Sequence, residues 1–253
     1  MRIALYNIRY GTGTGLDFHL PVPFSGYFRS SVVSAERIWS FLDELDADVL
    51  CLVEVDNGSY RNFGRCQAGT LAAKNGWHHA FACKYHKGSV LRDLPILWSQ
   101  GNAIISRMPL KSVREHSFSR GMKRTFLEAQ FEGFTVTLAH LSLGKAARKE
   151  QMLELARHAR TIEGPMFLGG DLNTFKGKKE LVPLMEEAGL RDTDAEGRPT
   201  YPSHNPRRRL DYLLSSPDVS ITSFDVPKTS LSDHLPLVCD FEISPERTTA
   251  TAG

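Results

Sequence analysis

Acids, amides and imidazoles recur in this chain where apolar runs end. Asn7 closes RIALYN, Glu54 follows DVLCLV, and His140 closes TVTLAH. Asp171 and Asn173 follow MFLGG, Asp211 lies inside RRRLDYLL, and the pair Asp233 and His234 stands directly before LPLVCDF. Taken singly, most have a plain reading. Asn7 is a turn residue, Glu54 a transition to solvent, His140 a hydrogen-bonded core histidine, and Asp171 a helix cap or turn residue. Asp211 and the Asp233–His234 pair are harder to pass over, because polar groups beside buried strands are expensive without partners. Polar side chains at the ends of several strands can converge on one rim of a sheet, where catalytic groups are often held.

The residue types point to a chemistry. Glu54 and Asp233 are hard oxygen donors suited to Mg²⁺ or Mn²⁺. No cysteine pair and no HExxH pattern points to zinc. Asp171 can accept a proton from water, and Asn173 can donate to an anionic oxygen. Asp211 can hold the tautomer and orientation of His234. Two imidazoles and a metal ion suit attack on phosphorus, where charge on the nonbridging oxygens must be neutralised while water arrives in line. A binding module without turnover would not need the whole set. A serine esterase would need a GxSxG elbow, which is absent.

The elements that must position these groups alternate along the chain. RIALYN and DVLCLVEV read as buried strands, with a helix over VVSAERIWSFLDEL between them, on which Val33, Ile38, Phe41, Leu42 and Leu45 fall near helical spacing. GNAIISRM, RTFLEAQFE and FTVTLAHLSL read as successive strands, the last two joined by a turn at Gly133-Phe134. KAARKEQMLELARHARTI is a basic helix, PMFLGGDLN a strand ending in a polar loop, and KELVPLMEEAGL a helix stopped near Gly189. RLDYLLSS and LPLVCDFEI close the chain as strands. Two halves, each with strands and a crossing helix, predict a sandwich of two sheets with helices outside. Tight turns between neighbouring strands disfavour one parallel doubly wound sheet.

The 253 residues, 41% of them hydrophobic, suffice for one sizeable core. A single domain is expected over residues 1–244, with a small polar tail over 245–253. A formal net charge of +2 does not by itself indicate a nucleic-acid binder. Cys51, Cys66, Cys83 and Cys239 are far apart and read as reduced thiols, which suits a cytoplasmic protein. MRIALYN looks like a first strand rather than a signal peptide. No apolar run approaches a membrane span.

Asn7 in LYNIR, Glu54 in LVEVD, His140 in AHLSL, GDLN at 170–173, LDYLL at 210–214 and SDHLPL at 232–237 together resemble the endonuclease/exonuclease/phosphatase superfamily, which includes DNase I and the neutral sphingomyelinases. A lone GDxN is weak; the ordered set ending in SDHxP is specific and runs through nearly the whole chain. The resemblance implies a DNase I-like four-layer α/β sandwich and Mg²⁺- or Mn²⁺-dependent cleavage of phosphoesters. It implies Glu54 as principal metal ligand with Asn7 beside it, and Asp233 completing the acidic side. Asp171 would be the base or water orienter, Asn173 would hold the scissile phosphate, and Asp211 would pair with a phosphate-contacting His234. His140 matches the branch of DNase I and the sphingomyelinases, rather than the exonuclease III-type enzymes with tyrosine there. Arg124 in KRTFLEAQF resembles an arginine that neutralises phosphate.

The substrate is less legible. Basic clusters occur at Arg120, Lys123 and Arg124, at Lys145 through Lys149, and at Arg207-Arg208-Arg209, while Lys176, Lys178 and Lys179 follow GDLN. They can follow a nucleic-acid backbone, or bind inositol phosphates or a phospholipid headgroup, or simply form solvated faces. A long apolar segment, residues 11–31, with Phe18, Leu20, Phe24, Tyr27 and Phe28, is of the kind that borders a pocket. The balance leans slightly to a non-nuclease or broad phosphodiesterase, with a DNase-like nuclease as the alternative. No protein partner is implied.

Overall fold

A computed structural model describes residues 1–13, 32–59, 62–85 and 97–243. Most of the apolar segment 11–31 and the 245–253 tail therefore lie outside the described residues, as does the Val33 side chain. The elements are β1 (Arg2–Asn7), α1 (Val32–Glu44), β2 (Val49–Asp56), α2 (Gln67–Asn75), β3 (His78–Cys83) and β4 (Gln100–Ser106). After them come β5 (Ser112–Ser117), β6 (Thr125–Gln130), β7 (Thr135–His140), α3 (Lys145–Ala159) and β8 (Met166–Asp171). α4 (Val182–Ala188), β9 (Arg191–Asp192), β10 (Asp211–Ser215), β11 (Val219–Asp225) and β12 (Leu237–Ile243) complete the order.

Two mixed six-stranded sheets result, in the orders β11-β12-β1-β2-β4-β3 and β5-β6-β7-β8-β10-β9. Period-two alternation divides each strand between two faces. Ile3, Leu5, Val49, Cys51 and Val53 of the first sheet meet Leu127, Val136, Leu138, Phe167 and Leu213 of the second in a shared core. The outer face of the first sheet packs Tyr6, Leu50 and Leu52 against Ile38 and Leu42 of α1 and Leu71 of α2. That of the second packs Ala139, Leu168 and Tyr212 against Met152 and Leu155 of α3 and Leu184 of α4. The layers are thus helix, sheet, sheet, helix, as expected.

The elements that sequence reading passed over are α2, β3, β5, β9 and β11. Four of these, β3, β5, β9 and β11, end their sheets' strand orders. β5 has no fully buried residue, so SVREHS carries little apolar pattern to read, and in VSITSFD a bulge between Ile221 and Ser223 breaks the alternation of Val219, Ile221 and Phe224. The two sequence halves do not each make one sheet: β12 runs antiparallel to β1, Arg2 facing Asp240, and carries β11 into the first sheet.

Candidate active site

Register alone brings three of the polar residues together. β7 and β8 are parallel with His140 opposite Asp171, and β8 and β10 are antiparallel with Asp171 opposite Asp211. Val136 and Leu138 point into the inter-sheet core, so His140, two residues on, emerges at its rim. The same alternation from Phe167 places Asp171 there, and from Leu213 it places Asp211. Across the gap, β1 carries Ile3 and Leu5 inward and ends on Asn7.

Gly170 makes the tight approach of β7 and β8 possible. A Cβ at this residue, whose φ is +145°, would stand 1.7 Å from the Ala139 carbonyl oxygen.

Glu54 reaches the rim by a different device. Cys51 and Val53 face the inter-sheet core, so simple alternation would turn Glu54 toward the helices and Val55 inward. Val55 instead packs with the outer cluster. The β2–β4 register shifts between Leu52 and Val55, and Glu54 takes a left-handed φ of 57°. This bulge resets the parity and delivers the carboxylate to the inner side, 3.9 Å from His140 Nδ1.

His234 belongs to no strand. The loop that carries it is tied by Ser232 Oγ donating to the Asn7 carbonyl at 2.7 Å, Ser203 N to the Asp233 carbonyl at 2.7 Å, and Leu235 N to the Thr200 carbonyl at 2.8 Å. His234 Nδ1 then meets Asp211 Oδ2 at 2.7 Å, an oxygen that also accepts from Thr200 Oγ1 at 2.6 Å. Asp171 is the hub. Its Oδ2 accepts from Asn7 Nδ2 at 3.1 Å and lies 3.2 Å from His140 Nε2 and 3.9 Å from His234 Nε2. Its Oδ1 accepts from the Asn173 backbone N–H at 3.2 Å, and Asn173, at a φ of 52°, donates from Nδ2 to the Leu141 carbonyl at 2.9 Å.

The charges follow from this packing. Burial pushes the Asp171 carboxyl up, but His140, His234 and Lys123 overcome it and hold the group well below the ordinary carboxylate range. Burial pulls His234 down, yet Asp211 and Asp171 outweigh it and its pKa is pushed up to about 10. Burial and then Lys123 hold His140 below the usual imidazole range. Burial raises Asp211 and Asp233. The centre thus sets an Asp171 carboxyl held low beside a His234 imidazole held high.

Two donor sets bear on a metal ion. Asp171, Asp211 and His234 have ligand atoms within 4.8 Å of one another. A proton already joins His234 to Asp211, and a ligating imidazole must be neutral, so this set suits proton holding better than metal binding. The other set is Glu54, Asn7 and Asp233. Glu54 is held below the ordinary range, burial being outweighed by His140, Lys84 and Lys123. It also lies close enough to Asp233 to raise that carboxyl. Asn7 Oδ1 accepts from Arg9 N at 3.1 Å, and an amide oxygen has a second lone pair to offer. Two carboxylates and an amide oxygen, with Glu54 partly exposed, suit a hard divalent cation.

Sequence reading missed three contributors. Lys123 Nζ contacts His140 Nε2, whereas its neighbour Arg124 turns Nε to the Gly121 carbonyl at 2.8 Å. The KR dipeptide marked a cation here, but only the fold decides which of the two meets the histidine. Thr200 and Ser232 serve as anchors, and SDH at least flagged the second. Two members of the basic clusters, Arg148 and Arg209, are buried in ion pairs, and others form pairs at the surface. Arg120 pairs with Glu150 at 2.7 Å, buried Arg148 with Glu180 at 2.7 Å, and buried Arg209 grips Asp192 through two bonds of 2.7 Å. Lys178 reaches the same Asp192 at 3.0 Å. Among the described residues no helix is long and apolar enough to cross a membrane, and all four cysteines are free.

A family model described as the endonuclease/exonuclease/phosphatase family matches residues 4–234. No curated protein sequence matches the chain. Among solved structures, an endonuclease/exonuclease/phosphatase from Beutenbergia cavernae superposes with a TM-score of 0.73 at 23% identity, over 96% of this chain and 71% of that one. A mannosyl-6-phosphatase from Bacteroides thetaiotaomicron gives 0.69 at 15% identity, over 96% and 100%. The human nocturnin catalytic domain with bound sulfate gives 0.66 at 19% identity, over 96% and 93%. At these identities the likeness is one of fold.

Proposed function

This chain belongs to the endonuclease/exonuclease/phosphatase family, and we propose that it hydrolyses phosphoester bonds with a divalent ion of the Mg²⁺ or Mn²⁺ type. The observation that carries the reading is buried Asp171, whose Oδ2 accepts from Asn7 Nδ2 at 3.1 Å and lies 3.2 Å from His140 Nε2 and 3.9 Å from His234 Nε2. Glu54, Asn7 and Asp233 would hold the ion. When bound it supplies positive charge to the phosphate oxygens and to the departing oxygen. Asp171 orients the attacking water through Oδ2 and takes its proton as the new P–O bond forms. The old P–O bond breaks, and the leaving oxygen is protonated from solvent. Cationic His234, fixed by Asp211, presents Nε2 to a nonbridging oxygen, where charge grows in the transition state. Asn173 holds the phosphate from the Leu141 side, and Lys123 adds positive charge beside His140. Arg124 remains a candidate for the outer phosphate oxygens.

The substrate class is the finer part of the proposal. A groove of about 540 Å³ opens beside Lys123, lined by Lys84, Tyr85, Arg120, Met122 and Leu143. Its mixed cationic and apolar walls suit a small phosphoester with an apolar portion. The internal pairing of Arg148 and Arg209 leaves fewer free cations to track a nucleic-acid backbone. The test is Mg²⁺-dependent phosphate release from a panel of small phosphate esters, with nicking of supercoiled plasmid measured beside it. Wild-type turnover that stops with chelator and falls about 10³-fold or more in Asp171→Ala is expected. Near-normal turnover in that variant would remove Asp171 from the mechanism. Strong nicking with no release from small esters would make the protein a nuclease.

A further inference from the structure

Outside the cleft, the second sheet carries another cluster of ligating side chains. His116 stands on β5, Glu128 on β6 and His158 in the last turn of α3. Their ligand atoms all lie within 4.8 Å of one another. Glu128 Oε2 sits 3.0 Å from His116 Nε2 and 2.9 Å from His158 Nε2. Although that near the carboxylate, His158 Nε2 is buried and makes no aligned hydrogen bond. Its nitrogen is aimed beside the oxygen rather than at it. The other carboxylate oxygen, Oε1, faces Arg114 Nη1 at 3.6 Å, which leaves Oε2 for the two rings.

The surroundings fix these rings. Phe126 stacks on His116 with centroids 4.8 Å apart and meets His158 edge-on at 4.9 Å, while the two imidazoles lie 4.4 Å apart. The three side chains are 28%, 8% and 15% exposed, so the cluster is open to solution on one side. None of the three faces the cleft residues in any contact described above.

We propose that His116, Glu128 and His158 form a binding site for a borderline divalent transition ion of the Zn²⁺ class, separate from the hydrolytic centre. A tetrahedral ion with bonds of about 2.0–2.1 Å spaces its ligands roughly 3.3–3.4 Å apart. The two carboxylate–imidazole gaps, 3.0 and 2.9 Å, need to open by only a few tenths of an ångström. Two imidazoles and one carboxylate select Zn²⁺ or Co²⁺ over Mg²⁺, which prefers an oxygen shell. With three protein ligands, solvent fills the remaining position. The ion would staple the edge strand β5 to β6 and to the end of α3, adding to the β5–β6 ladder and to the His116–Glu128 hydrogen bond.

The probe is Zn²⁺, titrated into the full chain in a large excess of Mg²⁺, with Co²⁺ absorbance reporting the geometry. One equivalent is expected to bind, to raise the melting temperature, and to give the intense visible bands of tetrahedral Co²⁺. His116→Gln and His158→Gln should each weaken Zn²⁺ binding tenfold or more and abolish its thermal effect, while Mg²⁺-supported hydrolysis stays at the wild-type level. Glu128→Gln, which keeps the side-chain shape, should weaken binding as well. Zn²⁺ affinity unchanged in both histidine variants, with each melting cooperatively, would overturn the site. So would the absence of any Zn²⁺ binding that survives excess Mg²⁺.

Discussion

His234 Nδ1 and Asp211 Oδ2 lie 2.7 Å apart, with Thr200 Oγ1 on the same carboxylate oxygen at 2.6 Å. Asp211 is the main influence lifting the His234 pKa against burial, to about 10. In Asp211→Asn the shape remains and the charge goes. His234 should then lose its proton near or below neutrality, and its ring loses a fixed tautomer. Turnover is expected to fall by about 10²–10⁴. A kcat pH profile checks this together with an NMR titration of the His234 ring; an unchanged ring titration would show that Asp211 does not set its charge.

The same pair gives stability a pH dependence whose sign can be worked out. The folded His234 value, about 10, lies above the unfolded value of about 6.5. Its contribution is therefore complete below about pH 6.5 and is lost as pH rises through about 10. Asp171 is depressed, so its contribution is present above the unfolded carboxylate value and is lost as pH falls through the folded one. Urea unfolding of the wild type should weaken between about pH 6.5 and 10. His234→Gln should flatten that limb, and an equal slope in both proteins would count against the shift.

Glu54 is held in left-handed backbone at a φ of 57°. For a residue with a Cβ this costs roughly 1–2 kcal/mol. Glu54→Ala and Glu54→Gly both remove the carboxylate, and only glycine releases the strain. Both should need far more Mg²⁺ for any turnover. Glu54→Gly should be about 1 kcal/mol more stable than Glu54→Ala. Thermal melts and Mg²⁺ titrations of rate separate the two effects.

Lys123 touches His140 and, after burial, is the largest influence lowering that imidazole. Lys123→Met keeps much of the stem and removes the ammonium. The His140 pKa should rise, moving the acidic limb of kcat/KM to higher pH, and kcat/KM at neutral pH should drop about 10–100-fold. Loss of rate without movement of the acidic limb would assign Lys123 to substrate binding alone.

The sequence alone carried the identity of the centre further than its geometry. Asn7, Glu54, His140, Asp171, Asp211 and His234 stood out because polar groups at the ends of apolar strands are costly without a purpose. Their order along the chain matched one superfamily, and the two-sheet sandwich followed. β5 could not be read because nearly all its side chains face solvent, and β11 because a bulge between Ile221 and Ser223 breaks its apolar alternation. The bulge that turns Glu54 inward was equally hidden: local pattern places residue 54 on the helix side, and only pairing with β4 reverses it. Lys123 and Arg124 are indistinguishable as neighbouring cations until β6 is aligned beside β7. The His116, Glu128 and His158 cluster had no linear signature at all. Its outer members are 42 residues apart and meet only because α3 folds back across β5 and β6. Chemical type is a property of residues, and the sequence displays it. Which groups meet depends on register, parity and packing between segments distant in the chain, and these exist only in the folded protein.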